Sequence, residues 1–307
     1  MSHTVVMTGA TRGIGRVAVE RLVGENRNGH FVLLGRSPGV AALADELGAG
    51  GSPVRWIEAD LLSLASVRAA SGRLRALLEE KELPPLRTLV ANAGRQFTDA
   101  RHETAEGFEA TFAINVLANH VLIRRLEDLF ETPARIVITV SDTHFGDFKH
   151  NLGMVPGPRW RAPDELARVG AFPRPGTVAA GRTAYSTSKL AAIHLVHEYA
   201  RRLPSGLDVV SYNPAFVPGT DLARDANAVA RFAMRRVLPA LALTPLATGR
   251  KVAGGCLADV ALGRVDAPTG SYVDRAEVVR SSGESYDPAR ERELWDAVED
   301  LTAPYRR

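Results

Sequence analysis

Before residue 142 the chain alternates five short runs of β-branched residues and leucine with longer helical patterns. The runs are Thr4–Thr8, Phe31–Leu34, Pro53–Glu58, Leu86–Ala91 and Arg135–Ser141, and the longest helical patterns span Gly13–Gly24, Ser63–Lys81 and Thr104–Leu129. Strands separated by helices return in parallel through crossovers, and a parallel sheet must bury both of its faces. A second block adds a helix at Thr183–Leu203, a strand at Asp208–Asn213, a helix at Thr248–Ala261 and a short strand at Ser271–Val273. The pattern predicts an α/β fold: a doubly wound sheet of seven parallel strands with helices on both faces, in one domain covering residues 1–307. Two stretches break the rhythm, an insertion at 143–182 rich in Pro, Gly and aromatics, and 216–245, which opens on a Pro-Gly turn. Both leave carboxyl ends of strands, where such sheets take their ligands.

Composition narrows the function classes. The net charge is +3, and the basic residues are dispersed along the chain without a tract that could track a phosphate backbone, so nucleic acid is not an expected partner. Cys256 is the single cysteine and cannot form an internal disulfide, and the start Met1–Val6 lacks the charged and apolar regions of a secretion signal, so a cytoplasmic location is expected. No transmembrane segment is expected, because the most apolar stretch, Val237–Ala247, is broken by Pro239 and Pro245. His194 and His197 share a helix without acidic or cysteine partners in a ligand spacing, so no metal is expected.

The first strand runs into Gly9-Ala10-Thr11-Arg12-Gly13-Ile14-Gly15 and then a helix. Exposed amides and the positive end of the dipole at such a helix start suit a pyrophosphate, and glycine permits the tight turn and close approach of backbone. The spacing is G-x-x-x-G-x-G, so the usual dinucleotide fingerprint is matched in mechanism only. At the end of the second strand, where an acid commonly holds a ribose 2′-hydroxyl, the chain reads Gly35-Arg36-Ser37. Arg36 can pair with a 2′-phosphate, and Arg12 adds a second cation, so the expected cofactor is NADPH/NADP+ over NAD.

Tyr185 and Lys189 stand at i and i+4, one turn apart on one helix face. An ammonium beside a phenol favours phenolate, and the pair suits acid/base work. Only four of the 38 basic residues are lysines, yet one of them holds this place.

The ordered set Thr8 to Gly15, Asp60-Leu61, Asn92-Ala93-Gly94, Asn115, Ser141 and Tyr185 with Lys189 resembles the short-chain dehydrogenases/reductases over nearly the whole chain. The resemblance implies a Rossmann-fold NAD(P)-dependent oxidoreductase. In it Tyr185 is the general acid/base, Lys189 lowers its pKa and holds the nicotinamide ribose, Ser141 positions the carbonyl, and Asn115 anchors a water. Asp60 and Leu61 then contact the adenine, and Asn92, Ala93 and Gly94 wall the cofactor cleft. Pro214, Val217 and Thr220 resemble the turn beneath the nicotinamide, and 216–245 the apolar lid over the substrate. The tail Ser285–Leu301 is similar to that of the retinol dehydrogenase and protochlorophyllide reductase branch. The sequence departs from the family at Ala91, at Ala215 in place of glycine, at Asp142 after Ser141, and in the 44 positions that separate Ser141 from Tyr185.

The expected activity is hydride transfer between NADP(H) and a carbonyl or secondary alcohol of a hydrophobic, aromatic or polycyclic small molecule. The alternatives are a non-redox ligand-binding or regulatory protein on the same fold and a C=C reductase of the protochlorophyllide type. His144, Phe145, Phe148, His150 and Trp160 either line a substrate pocket or pack the insertion on itself. Phe232, Met234, Val237, Leu238, Leu241 and Leu243 are read as lid ahead of a membrane-surface face. A homo-oligomer is left open.

Overall fold

The computed structural model describes residues 1–151, 153–217 and 248–306. Its strands are β1 His3–Thr8, β2 Gly29–Gly35, β3 Val54–Glu58, β4 Leu86–Ala91, β5 Phe130–Thr139, β6 Leu207–Asn213, β7 Tyr272–Asp274 and β8 Glu277–Val279. They form one sheet in the order β3-β2-β1-β4-β5-β6-β7-β8. The seven expected strands pair in parallel. The addition is β8, folded back antiparallel on β7 through Arg275 and Ala276. Arg275 takes the left-handed φ of +57°, and a tight turn without Gly or Asn carries no hairpin signal in sequence. β5 also begins earlier than expected, because a register shift opposite Leu86 and Thr88 accommodates the missing amide of Pro133.

Alternate residues of each central strand enter different cores, which is why these strands read as continuous apolar runs. Val5, Met7, Phe31, Leu33, Val90 and Val137 pack with α1 (Gly13–Glu25), α2 (Gly39–Gly48) and, beyond the second crossover block, the helix Arg250–Ala261. Val6, Val32, Leu89 and Ile136 face α3 (Leu64–Glu79), α4 (Ala118–Leu126) and α5 (Val178–Arg202). We designate Arg250–Ala261 α6 and the carboxyl-terminal helix Pro288–Arg306 α7. Gly254 lets α6 approach α1 closely: a Cβ there would lie 2.7 Å from the Ile14 carbonyl oxygen.

The long pattern Thr104–Leu129 becomes helical only after Glu109, whose carboxylate accepts from the Phe112 amide at 2.7 Å and caps the turn. The next turn, Ala113–Leu117, is π-helical, with the Ala118 amide reaching Ala113. α5 starts at Val178, capped by the Thr177 side chain, so the last residues assigned to the insertion are its first turn. From β1 the chain steps outward to β2 and β3, then returns to lay β4 on the other side of β1. That reversal opens a crevice beyond the carboxyl ends of β1 and β4.

Candidate active site

At the mouth of the crevice, Gly9 and Gly13 take φ of +69° and +61°. A Cβ on Gly9 would lie 2.8 Å from the Ala93 backbone, and one on Gly15 would strike the Gly9 carbonyl and come within 2.6 Å of Asn92 Nδ2. These glycines are therefore demanded by the packing of the turn on β4. The N-cap of α1 is Arg12 in extended conformation, and its side chain makes no capping hydrogen bond. The first amides of α1 thus remain open toward the cleft, which fits an anionic phosphate group.

The cleft has a volume of about 380 Å³. Gly9, Thr11, Arg12, Gly13, Ile14 and Gly15 form its floor, and Arg36, Asp60 and Leu61 one end. Asn92, Ala93 and Gly94 form a wall, and Ser141, Tyr185, Lys189, Pro214 and Val217 the other end. Thr220 lies outside the described residues, as does 218–247, the bulk of the expected lid. The two ends of that stretch meet, with the Thr248 amide donating to the Phe216 carbonyl at 2.8 Å.

Asn92 fastens the wall. Its Nδ2 donates to the Gly9 carbonyl at 3.1 Å, and its Oδ1 accepts from Thr139 Oγ1 at 3.2 Å, so β1, β4 and β5 are tied at one level. The Ala93 amide donates to Thr8 Oγ1 at 3.1 Å. Asn115 stands behind this wall on the π-helical turn. It donates to the Arg95 carbonyl and to Ser188 Oγ, at 3.1 and 2.9 Å, and accepts from the Arg95 amide at 3.0 Å. Asn119 donates to the Asn115 carbonyl at 3.1 Å, satisfying an acceptor beside the irregular turn.

Tyr185 and Lys189 are buried at 6% and 3% exposure. Lys189 Nζ donates to the Thr139 carbonyl at 2.9 Å and lies 5.5 Å from the centroid of the Tyr185 ring. Burial pushes the Lys189 ammonium down to about 8. It also raises the Tyr185 phenol above its ordinary value; Ser141 acts in the opposite sense and Asp142 adds to the rise. Desolvation of the ring is the largest influence on the phenol. Ser141 Oγ donates to Asp142 Oδ1 at 3.3 Å and accepts from the Thr143 amide at 3.3 Å.

Arg12 and Arg36 both reach the cleft, and Arg36 is exposed at its rim. A carboxylate from β3 meets that turn: Glu58 accepts from the Ser37 amide at 3.0 Å. Asp60 is held by its own turn, its Oδ1 accepting from the Leu62 amide at 3.1 Å.

Several cleft residues escape the sequence argument, among them Thr139, Arg95 and Arg250. Arg95 follows Asn92-Ala93-Gly94 directly, and that adjacency was the available signal. Ala215 adopts φ of +59°, so the place usually given to glycine keeps the left-handed conformation with a Cβ. Among the described residues no member of 143–182 lines the cleft. Of its aromatics, His144 is 1% exposed against Phe145 and Tyr272, Phe145 stacks on His150, Trp160 packs edge-on to His194, and Phe148 is 72% exposed.

A doubly wound sheet whose crevice joins an open, glycine-built helix start to a buried tyrosine and lysine defines a nicotinamide-dependent oxidoreductase. Comparison with known proteins gives the family. Residues 3–151 match the family model for short chain dehydrogenases. A Streptomyces sp. (strain C5) protein, provisionally assigned as the daunorubicin C-13 ketoreductase DnrU, is 32% identical over 303 residues, covering 96% of this chain and 91% of that protein. Chloroplastic protochlorophyllide reductase A of Oryza sativa subsp. japonica is 28% identical over 319 residues, covering 97% of this chain and 80% of that protein. Among solved structures, a Burkholderia cenocepacia short chain dehydrogenase in complex with NADP superimposes with a TM-score of 0.63 at 21% identity, covering 93% of this chain and 98% of that one. The chain belongs to the short-chain dehydrogenase/reductase family. No helix among the described residues is long and apolar enough to cross a membrane.

Proposed function

We propose that this protein is an NADP(H)-dependent carbonyl reductase or alcohol dehydrogenase for a hydrophobic small molecule, formed by a single domain with an insertion at 143–182 and a substrate lid at 216–245. One observation carries the reading: Tyr185, Lys189 and Ser141 meet at one end of the cleft whose floor is the open start of α1. The residues fit the cofactor. The turn Gly9, Thr11, Gly13, Ile14 and Gly15 would hold the pyrophosphate, Arg12 and Arg36 a 2′-phosphate, and Asp60 with Leu61 the adenine.

When bound, the nicotinamide supplies or accepts the hydride. In the reducing direction the Tyr185 phenol, kept protonated by burial, donates its proton to the carbonyl oxygen. The Ser141 hydroxyl donates to the same oxygen and stabilises the negative charge that develops there. Lys189 holds a positive charge one turn from Tyr185, with its ammonium oriented by the Thr139 carbonyl. Asn115 fixes the wall behind both by bonding Ser188, one residue before Lys189. Ile114, Val140, Ala215 and Val217 give the cleft apolar surface, and the Streptomyces relative is named for a ketoreductase, which supports a hydrophobic ketone as substrate. A purely ligand-binding role gives no task to a buried tyrosine and lysine facing one cleft. The test is to follow NADPH absorbance while screening hydrophobic ketones, enones and alcohols. Ketone-dependent oxidation of NADPH, or alcohol-dependent formation of NADPH from NADP+, is expected; consumption with enones alone would assign C=C reduction, and no change in NADPH with any of them would refute the reading.

A further inference from the structure

The Ser141 hydroxyl has one proton and two lone pairs. One lone pair takes the Thr143 amide, at 3.3 Å, and the proton goes to Asp142 Oδ1, also at 3.3 Å. To polarise a carbonyl, Ser141 needs that same proton. The Asp142 side chain is held in place by its own backbone, whose amide donates to Asn213 Oδ1 at 3.1 Å, and Asn213 is in turn anchored by donating to Asp274 at 2.9 Å. An acid in this position therefore has a fixed reach to the serine oxygen and competes with the substrate for it.

We propose that Asp142 is a positioning residue that sets which way the Ser141 hydroxyl points. As a carboxylate it takes the serine proton; as a carboxylic acid it donates to Oγ and leaves that proton for the substrate oxygen. Proton and acceptor balance in both states once the Tyr185 phenol, which also hydrogen-bonds Ser141, turns to the substrate oxygen and leaves the second lone pair of the serine for the acid. The surroundings favour an acid that changes state near neutrality. Burial raises the Asp142 carboxyl to about 6, Ser141 opposes that rise, Asp274 on β7 adds to it, and His150 from the short helical turn Phe148–Asn151 reduces it. Asp274 is itself paired with Arg275 at 3.0 Å. Among the described residues, Tyr185 on α5 and Tyr272 on β7, both buried phenols, also sense Asp142.

This inference rests on the proposed carbonyl reduction, and its test separates the two. Reduction should slow as pH rises from about 5 to about 7: kcat/KM should fall by about tenfold, the worth of one hydrogen bond, with the midpoint near the Asp142 transition. In Asp142→Asn, whose amide does not titrate, the decline should shrink to less than about twofold. Asp142→Glu, which keeps a carboxyl, should restore it. An undiminished decline in Asp142→Asn, or a wild-type profile flat across this range, would overturn the proposal. If no carbonyl compound is reduced, the proposed function fails, and the inference is then read by NMR of isotope-labelled aspartate carboxyls assigned with Asp142→Asn. A midpoint near 6 that moves upward in Ser141→Ala supports the coupling. An ordinary midpoint, or no response to Ser141→Ala, contradicts it.

Discussion

Lys189 keeps its amine at 3% exposure, donating to the Thr139 carbonyl, and the stability consequence has a definite sign. A lysine brought down to about 8 from an ordinary 10.5 binds fewer protons folded than unfolded between those values, so this site gains stability as pH rises through the window. The penalty is fully present below pH 8 and amounts to roughly 3 kcal/mol. Wild type should therefore gain on Lys189→Met as urea unfolding is repeated from pH 8 toward 10.5. Parallel curves for the two proteins would show that the ammonium is better solvated than its burial implies. At the cofactor's other end, Arg36→Ala should weaken NADPH by about tenfold and leave NADH nearly unaffected, read by calorimetric titration. The i, i+4 spacing made Tyr185 and Lys189 legible in the sequence. The direction of the phenol's shift was not, because it depends on how completely the fold dries the ring.

Element boundaries show the same division. The strands are legible because a parallel sheet demands β-branched residues on both faces, and Val5 and Val6 bury opposite ways at 1% and 0% exposure. α2 escaped because its ten residues begin at Gly39, directly after Pro38, and end at Gly48, all of which read as turn signals. The π-helical turn carrying Asn115 is invisible to a periodicity argument, since the bonds that hold Asn115 there run to Arg95 and Ser188, distant in sequence. The glycine turn allows a graded prediction. Gly15→Ala puts a Cβ into the Gly9 carbonyl and should cost about 3 kcal/mol or more of stability along with cofactor binding. Gly13→Ala has open space around its Cβ and pays only for a left-handed φ, about 1 kcal/mol. Thermal unfolding of the two variants would check the order, and equal losses would contradict the collision argument.

At the scale of the whole molecule, α7 ties the fold's end to its centre. Leu294 and Val298 are fully buried and Trp295 is 6% exposed, packed against Tyr199 and His120. Burial would raise the Glu291 carboxyl, but hydrogen bonds from His197 and Arg201, with His194 3.9 Å away, bring it down to about 2. A chain ending before Pro288 should lose at least about 4 kcal/mol, since three large apolar side chains leave the core and His197 loses its partner. Full-strength, cooperative urea unfolding of that truncated chain would show α7 to be an appendage. The sequence supplied the resemblance of this tail to one branch of the family, but only packing against α5 shows what it does.

The central claim is that Tyr185 moves the proton in a hydride transfer between NADP(H) and a carbonyl carbon. It is tested most directly by NADPH oxidation at saturating cofactor with a reactive hydrophobic ketone, wild type against Tyr185→Phe, with NADPH affinity measured on both proteins. Removing one general acid should lower kcat by at least about 10² to 10⁴ while NADPH affinity changes less than about threefold. Wild-type turnover in Tyr185→Phe would contradict the account at its core.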